Sequence, residues 1–174
     1  MVYITVVGIL MILVFWIISV QRTFVVLDEN ISNSMTQIGV QLSSKWDVLI
    51  SLLDLTLNYD QPAPQILIEK IKVRKSITRD SSPDDIRIQE DIMAEAMARI
   101  MTIAESFPDI KTNETFTKNM NAVDQYEKMV RTSKLIYNES ATKLNHATHV
   151  FPSTLITGML GFKKRVYIDI EDIP

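Results

Sequence analysis

From Met1 to Gln21 the chain carries no charged side chain, and thirteen of its first twenty residues are Val, Ile, Leu or Phe. A helix of that length rises about 30 Å, the thickness of bilayer hydrocarbon. Each such residue favours insertion by roughly 0.3–0.6 kcal/mol, about 4–8 kcal/mol together, and a central lysine would cancel about 3 of that. The run contains none. A cleavable signal peptide would show a basic leading region, an apolar core of about 7–15 residues and a small-residue cleavage site. Here no Lys or Arg precedes the run, which ends Ile17-Ile18-Ser19-Val20-Gln21-Arg22 without an Ala-x-Ala pattern. A buried core helix would carry a polar stripe, and this run has none. Residues 1–21 therefore read as a retained transmembrane anchor of a single-pass protein of the cell membrane.

Roughly 150 residues follow, enough for one small domain with its own core. A net charge of −3, with no basic stripe interleaved with aromatics, argues against a nucleic-acid partner. The chain has no cysteine, which excludes disulfides, thiolate catalysis and thiolate metal sites. Four glycines leave no room for a phosphate-cradling loop of the GxxxxGK[ST] or GxGxxG type. No cofactor and no small-molecule substrate is indicated.

The apolar positions then fall at helical spacing. Ile31, Met35, Ile38, Leu42, Trp46, Leu49 and Leu53 form one stripe, with Gln37, Gln41, Ser44 and Asp47 between them. This helix can run unbroken from the membrane to Tyr59, and Pro62 and Pro64 end it. A short second helix is expected over Gln65–Lys75. Ser82-Pro83-Asp84-Asp85 is a strong helix start: a capping hydroxyl, proline at the first helical position, and carboxylates at the positive end of the dipole. The third helix carries Ile88, Ile92, Ala96, Ile100, Ile103 and Phe107 and stops at Pro108. The fourth opens at Asn113, carries Phe116, Met120, Val123, Tyr126, Val130, Ser133, Tyr137 and Leu144, and runs to Val150. Only Arg165–Ile170 hints at a strand. The expected fold is all-α: an antiparallel helical bundle, three long helices plus one short, on a single N-terminal transmembrane helix. The expected organisation is an anchor at 1–21, a bundle at 22–152 whose first helix continues the anchor, and a C-terminal tail at 153–174.

Several segments, in order, resemble the LemA family of bacterial membrane-anchored proteins. They are Val40-Gln41-Leu42-Ser43-Ser44-Lys45-Trp46-Asp47-Val48-Leu49, Ala104-Glu105-Ser106-Phe107-Pro108-Asp109-Ile110-Lys111-Thr112-Asn113-Glu114-Thr115-Phe116, and Glu127. Lys134-Leu135-Ile136-Tyr137-Asn138, Asn145, Phe151-Pro152 and Gly161-Phe162 complete the set. The chain departs from the family pattern at Ile50-Ser51, where a Pro-Asn pair is usual, at Lys134 in place of Arg, and at Val73-Arg74 in place of Ala-Arg. It reads as a divergent member. The resemblance implies a helical bundle on one transmembrane helix and implies no particular reaction.

Candidate chemistry is sparse. His146 and His149 sit three apart near a helix end, without the Glu-x-x-His pairs of a bundle metal site, so no metal is assigned. Glu105 and Asp109 are separated by Pro108 and read as part of a tight connection. Glu127 and Lys134, two turns apart, are each expected to pair across to another helix or to face water. Tyr126, Tyr137 and Asn138 then need polar partners. Asn113-Glu-Thr and Asn138-Glu-Ser match the glycosylation pattern by chance.

In an up-and-down bundle the fourth helix returns to the bilayer, bringing Phe151 to its surface. Phe151, Leu155, Ile156 and Phe162, followed by Lys163, Lys164 and Arg165, are candidates for contact with an anionic membrane surface. The alternative is that they pack on the base of the bundle. Arg22 is the nearest positive residue flanking the anchor, which favours a cytoplasmic bundle and an outside N-terminus. The expected function is a non-enzymatic scaffold that self-associates, as a homo-oligomer, or binds other membrane proteins. Trp46 and Tyr59 are candidate exposed contact residues. The alternative is a membrane-tethered sensor whose bundle binds a small ligand; an enzyme would need a nucleophile constellation that the sequence lacks.

Overall fold

α1 runs without interruption from Val2 to Thr56, 55 residues and about 82 Å of helix. None of its most apolar stretch is buried within the protein, and the first fully buried residue is Phe24. From there the predicted stripe is the buried one: Ile31, Met35, Ile38, Leu42, Trp46, Leu49 and Leu53 are each no more than 3% exposed. One helix is thus two objects, a naked apolar rod and then an amphipathic core helix. The apolar part is compatible with a membrane anchor.

The computed structural model describes residues 1–56, 74–150 and 153–170. The end of the first helix at Tyr59 lies outside the described residues, as does the short helix expected at Gln65–Lys75 except for Arg74 and Lys75, which are not helical. Among the described residues, four further helices follow α1: α2 (Pro83–Ser106), α3 (Pro108–Lys111), α4 (Glu114–His149) and α5 (Ser153–Leu160). The described residues are all-α, a bundle of three long helices with α3 and α5 as short additions, and they contain no strand.

The caps follow the sequence closely. Ser82 accepts the Asp85 amide while Asp85 accepts the Ser82 amide at 2.9 Å, a reciprocal capping box with Pro83 at the first turn. Asn113 accepts the amides of Thr115 and Phe116 and so starts α4. Phe107 closes α2 and Pro108 opens α3. The apolar stripe of α2 is phased differently from the expectation. Ile86, Gln89, Met93, Ala96, Ile100 and Ile103 are buried, whereas Ile88 is 48% exposed and Phe107 38%. A heptad through 86, 93 and 100 faces α1, and aliphatic character alone misplaced the first turn.

α1 and α4 form the backbone of the bundle. Down the antiparallel pair, Ser51 meets Asn119, Lys45 meets Glu127, and Asp28 reaches Arg165 where that residue is held by Asn145. Descending α1 by six and then seventeen residues is matched on α4 by eight and then eighteen. The two helices therefore stay in register for their whole shared length. Gly39 lets another segment approach: a Cβ there would lie 2.2 Å from the Ile77 carbonyl oxygen.

α5 begins at Ser153, three residues separating it from the end of α4 at His149, and stops at Gly161, which adopts φ +73°, the left-handed conformation that glycine supplies most readily at a helix end. Residues 162–170 then run extended along the bundle. This extended strap replaces the suggested strand: its backbone bonds to side chains of α4, not to another strand.

Candidate functional site

Two polar constructions stand out, one between α2 and α4 and one beneath the strap. In the first, α2 and α4 each pack on α1 but stand apart from one another, leaving a cleft of about 620 Å³. Met93, Met97 and Met101 of α2 face Met120 and Val123 of α4 across it. Methionines at 93, 97 and 101 recur at the four-residue spacing that keeps side chains on one helical face.

Lys45, Glu90, Glu127 and Lys134 line the same cleft. Lys45 donates to Glu127 and so ties α1 to α4. Lys134 Nζ lies 2.7 Å from the Glu90 carboxylate and ties α4 to α2. Both lysine side chains are nearly buried, at 12% and 8% exposure. Burial pushes the Glu90 carboxyl above the usual carboxylate range; Lys134 opposes the shift and the neighbouring Glu127 charge adds to it. Glu127 and Lys134 thus do pair across to other helices, as expected. Their partners Lys45 and Glu90 were not singled out in the sequence, being 82 and 44 residues away. The four charges satisfy one another, and nothing in this arrangement is a nucleophile next to a base.

The second construction is a double clamp. Asn138 accepts the Ile168 amide at 2.9 Å and donates to the Ile168 carbonyl at 2.7 Å. Asn145 does the same for Arg165, at 2.8 Å in both directions. Tyr137 donates to the Val166 carbonyl at 3.0 Å, and burial pushes its hydroxyl pKa up. The spacing explains itself. Seven residues of helix rise about 10.5 Å, and three residues of extended chain span about 10 Å. Two asparagines seven apart on α4 therefore meet backbone groups three apart on the strap.

The predicted contact residues divide. Trp46 is corrected: it is 2% exposed, in the core against Ile92, Met93 and Ala96, because the spacing that placed it on the stripe also buries it. Tyr59 and Phe151 lie outside the described residues, as do the side chains of Leu155 and Ile156. Phe162 stacks on Phe24 with ring centroids 5.1 Å apart. Arg165 is held by Asn145 and reaches Asp28 at 2.6 Å, so its guanidinium is committed to the fold. Lys163 and Lys164 are exposed. Phe162 packs on the base of the bundle, whereas Arg165 stays exposed and is tied to α1 by its ion pair with Asp28. His146 and His149 lie near the end of α4, and no cluster of three metal-ligating side chains exists among the described residues. Glu105 and Asp109 are both exposed.

The sequence profile of the LemA family matches residues 34–173. The chain belongs to the LemA family. That match spans the bundle from Ser34 onward, both ion pairs of the cleft and the clamp. No curated protein matches the chain.

Proposed function

We propose that this LemA-family chain is a membrane-anchored interaction protein with no reaction of its own, holding its bundle at the bilayer surface and binding further copies of itself or another membrane protein. The α2–α4 cleft supports this reading best. Lys45 with Glu127 and Lys134 with Glu90 are already neutralised in pairs, and the cleft walls are methionine-rich, a flexible and polarizable surface suited to packing against another helix. Anchoring in the same bilayer as the partner raises its effective concentration, so modest contacts suffice. The cytoplasmic placement drawn from Arg22 belongs to this proposal.

The test is photo-crosslinking in native membranes, with a photoreactive residue at Met97 or Met101. Discrete adducts, to itself or to one membrane protein, are expected. Recovery of monomer alone from both positions, with adducts formed normally from other surfaces, would remove the reading.

A small-ligand sensor is the second reading, favoured by one observation. The cleft volume falls within the range of about 300–1,000 Å³ typical of ligand sites, and it presents charges of both signs. A metabolite that raises the melting temperature of the wild type, but not of a Met97→Trp variant with the cleft filled, would favour it.

A further inference from the structure

The α1–α4 register sets the height of everything that follows α4. By that register His149 comes level with Phe24 of α1, and α5 contacts both α1 and α4. Phe162 on Phe24 fixes the start of the strap there. Phe24 is three residues past Gln21, about 4.5 Å along the helix axis. With Val2–Val20 in hydrocarbon, that height lies within the headgroup layer, about 5–7 Å thick on each side.

The basic triplet is presented unequally. Arg165, itself exposed, is engaged by Asn145 through its backbone and by Asp28 through its guanidinium. Lys163 and Lys164 are exposed, and the residues on either side of them are pinned, Phe162 by its ring contact and Arg165 by its clamp. Arg22 is exposed at nearly the same height on α1. The acidic groups nearby are Asp28, which Arg165 occupies, and Glu29, five residues beyond Phe24 and so further from the membrane. His146 and His149 stand on the facing helix at this level.

We propose that Lys163 and Lys164, together with Arg22, bind the anionic headgroups of the bilayer that holds the anchor, making the root of the strap a second foot on the membrane. This rests on the membrane-anchored reading above. Holding the lysines between two fixed residues removes most of the ordering cost that a free tail would bear. Each lysine is expected to favour the surface-bound state by roughly fivefold, about 25-fold for the pair, and the effect should weaken with salt.

The chain has no cysteine, and a Cβ added at Gly158 or Gly8 meets nothing within 4 Å. Single variants Gly158→Cys and Gly8→Cys can therefore carry an environment-sensitive fluorophore in full-length protein, reconstituted into vesicles of phosphatidylcholine with or without phosphatidylglycerol. Expected for Gly158 is a blue shift, and quenching by headgroup-labelled lipid, that grow with phosphatidylglycerol and are largely lost on Lys163→Glu/Lys164→Glu. Lys163→Gln/Lys164→Gln should lose part of the response without introducing repulsion. A Gly158 signal indifferent to phosphatidylglycerol, or unchanged by both double variants, would overturn the inference. Gly8 separates the two proposals. A Gly8 label in lipid with an indifferent Gly158 label sinks the second foot alone, whereas a Gly8 label in water sinks the anchor and the foot together.

Discussion

Replacing Asn138 by alanine tests the idea that side-chain amides, not a strand partner, hold the strap. The change removes two hydrogen bonds to one residue, worth about 1 kcal/mol each net. Ile168 is only 4% exposed, so its freed amide and carbonyl gain little from water and add part of the cost of an unpaired buried group. The sum is about 2–3 kcal/mol of local stability. Arg165 is exposed, so water can replace what Asn145→Ala removes, and that variant should lose only about 1 kcal/mol. Hydrogen exchange on full-length protein in micelles reads both. Peptides covering 162–170 should exchange roughly 30- to 150-fold faster in Asn138→Ala and about fivefold faster in Asn145→Ala.

Asn138→Asp sharpens the test through pH. An ionised carboxylate still accepts the Ile168 amide but faces the Ile168 carbonyl without a proton to donate. The folded state therefore favours the protonated form, and its pKa lies above the unfolded value. Stability from this group is present below the unfolded pKa and is lost as pH rises through the folded one. Compared with wild type at each pH, Asn138→Asp should recover toward acid, whereas Asn138→Ala should not. Equal effects at the two asparagines, or strap exchange no faster in Asn138→Ala than in wild type, would refute the reasoning.

Three further outcomes are expected. Gly39→Ala gains at most about 1 kcal/mol of helix propensity but drives a Cβ into the Ile77 carbonyl, so a lower melting temperature and faster exchange around residues 74–80 are expected. Lys134→Met leaves the Glu90 carboxylate in a site that already disfavours its charge, at a cost of about 1–3 kcal/mol by denaturant unfolding; adding Glu90→Gln should recover most of the loss, since the neutral amide needs no counter-ion. Asp85 is held down to about 2, first by the Lys75 ammonium and then by the Ser82 amide and hydroxyl. Its contribution is present above the unfolded value of 3.8 and is lost as pH falls toward 2, so exchange over residues 82–88 should accelerate across that interval in wild type but not in Asp85→Asn.

What could be read from the sequence was whatever depends on local order. The stripe on α1, the Ser82 and Asn113 caps and the stop at Pro108 each need only neighbours within a turn or two, and all are present. Ile88 shows where this stops: two apolar phases coexist at the start of α2, and only the surface of α1 decides between them. Trp46 shows a second limit, because a large aromatic on a core stripe offers contact area to whichever surface is nearest, here α2. The clamp was half legible. Asn138 was seen to need a partner, but its partner is the backbone of Ile168, and backbone groups are identical at every residue. The cleft charges were legible from α4 alone; Lys45 and Glu90 become partners only once the helices are placed.

α4 carries polar contacts to each element it joins: Asn119 and Glu127 to α1, Lys134 to α2, and Tyr137, Asn138 and Asn145 to the strap. Apolar heptads by themselves would tolerate a slip of seven residues, because the stripe meets another stripe either way. The polar contacts would not. A slip in one direction sets Lys134 against Lys45, two nearly buried ammonium groups; a slip in the other sets Met120 there and strands the Lys45 charge. Either costs several kcal/mol, as breaking a buried pair does. A mixed-charge core pair is thus weak as glue and strong as a ruler. Because α1 is one unbroken helix, the ruler extends to its apolar end, and the height of the strap above Gln21 is set by Glu127 on a different helix. Exchanging the pair, Lys45→Glu with Glu127→Lys, keeps the ruler in the native register. Lys45→Glu alone removes it, because a carboxylate at that position meets Lys134 favourably in the slipped register. The exchange should leave the Phe24–Phe162 contact intact, read as disulfide formation between cysteines at those two positions, and the single change should reduce it.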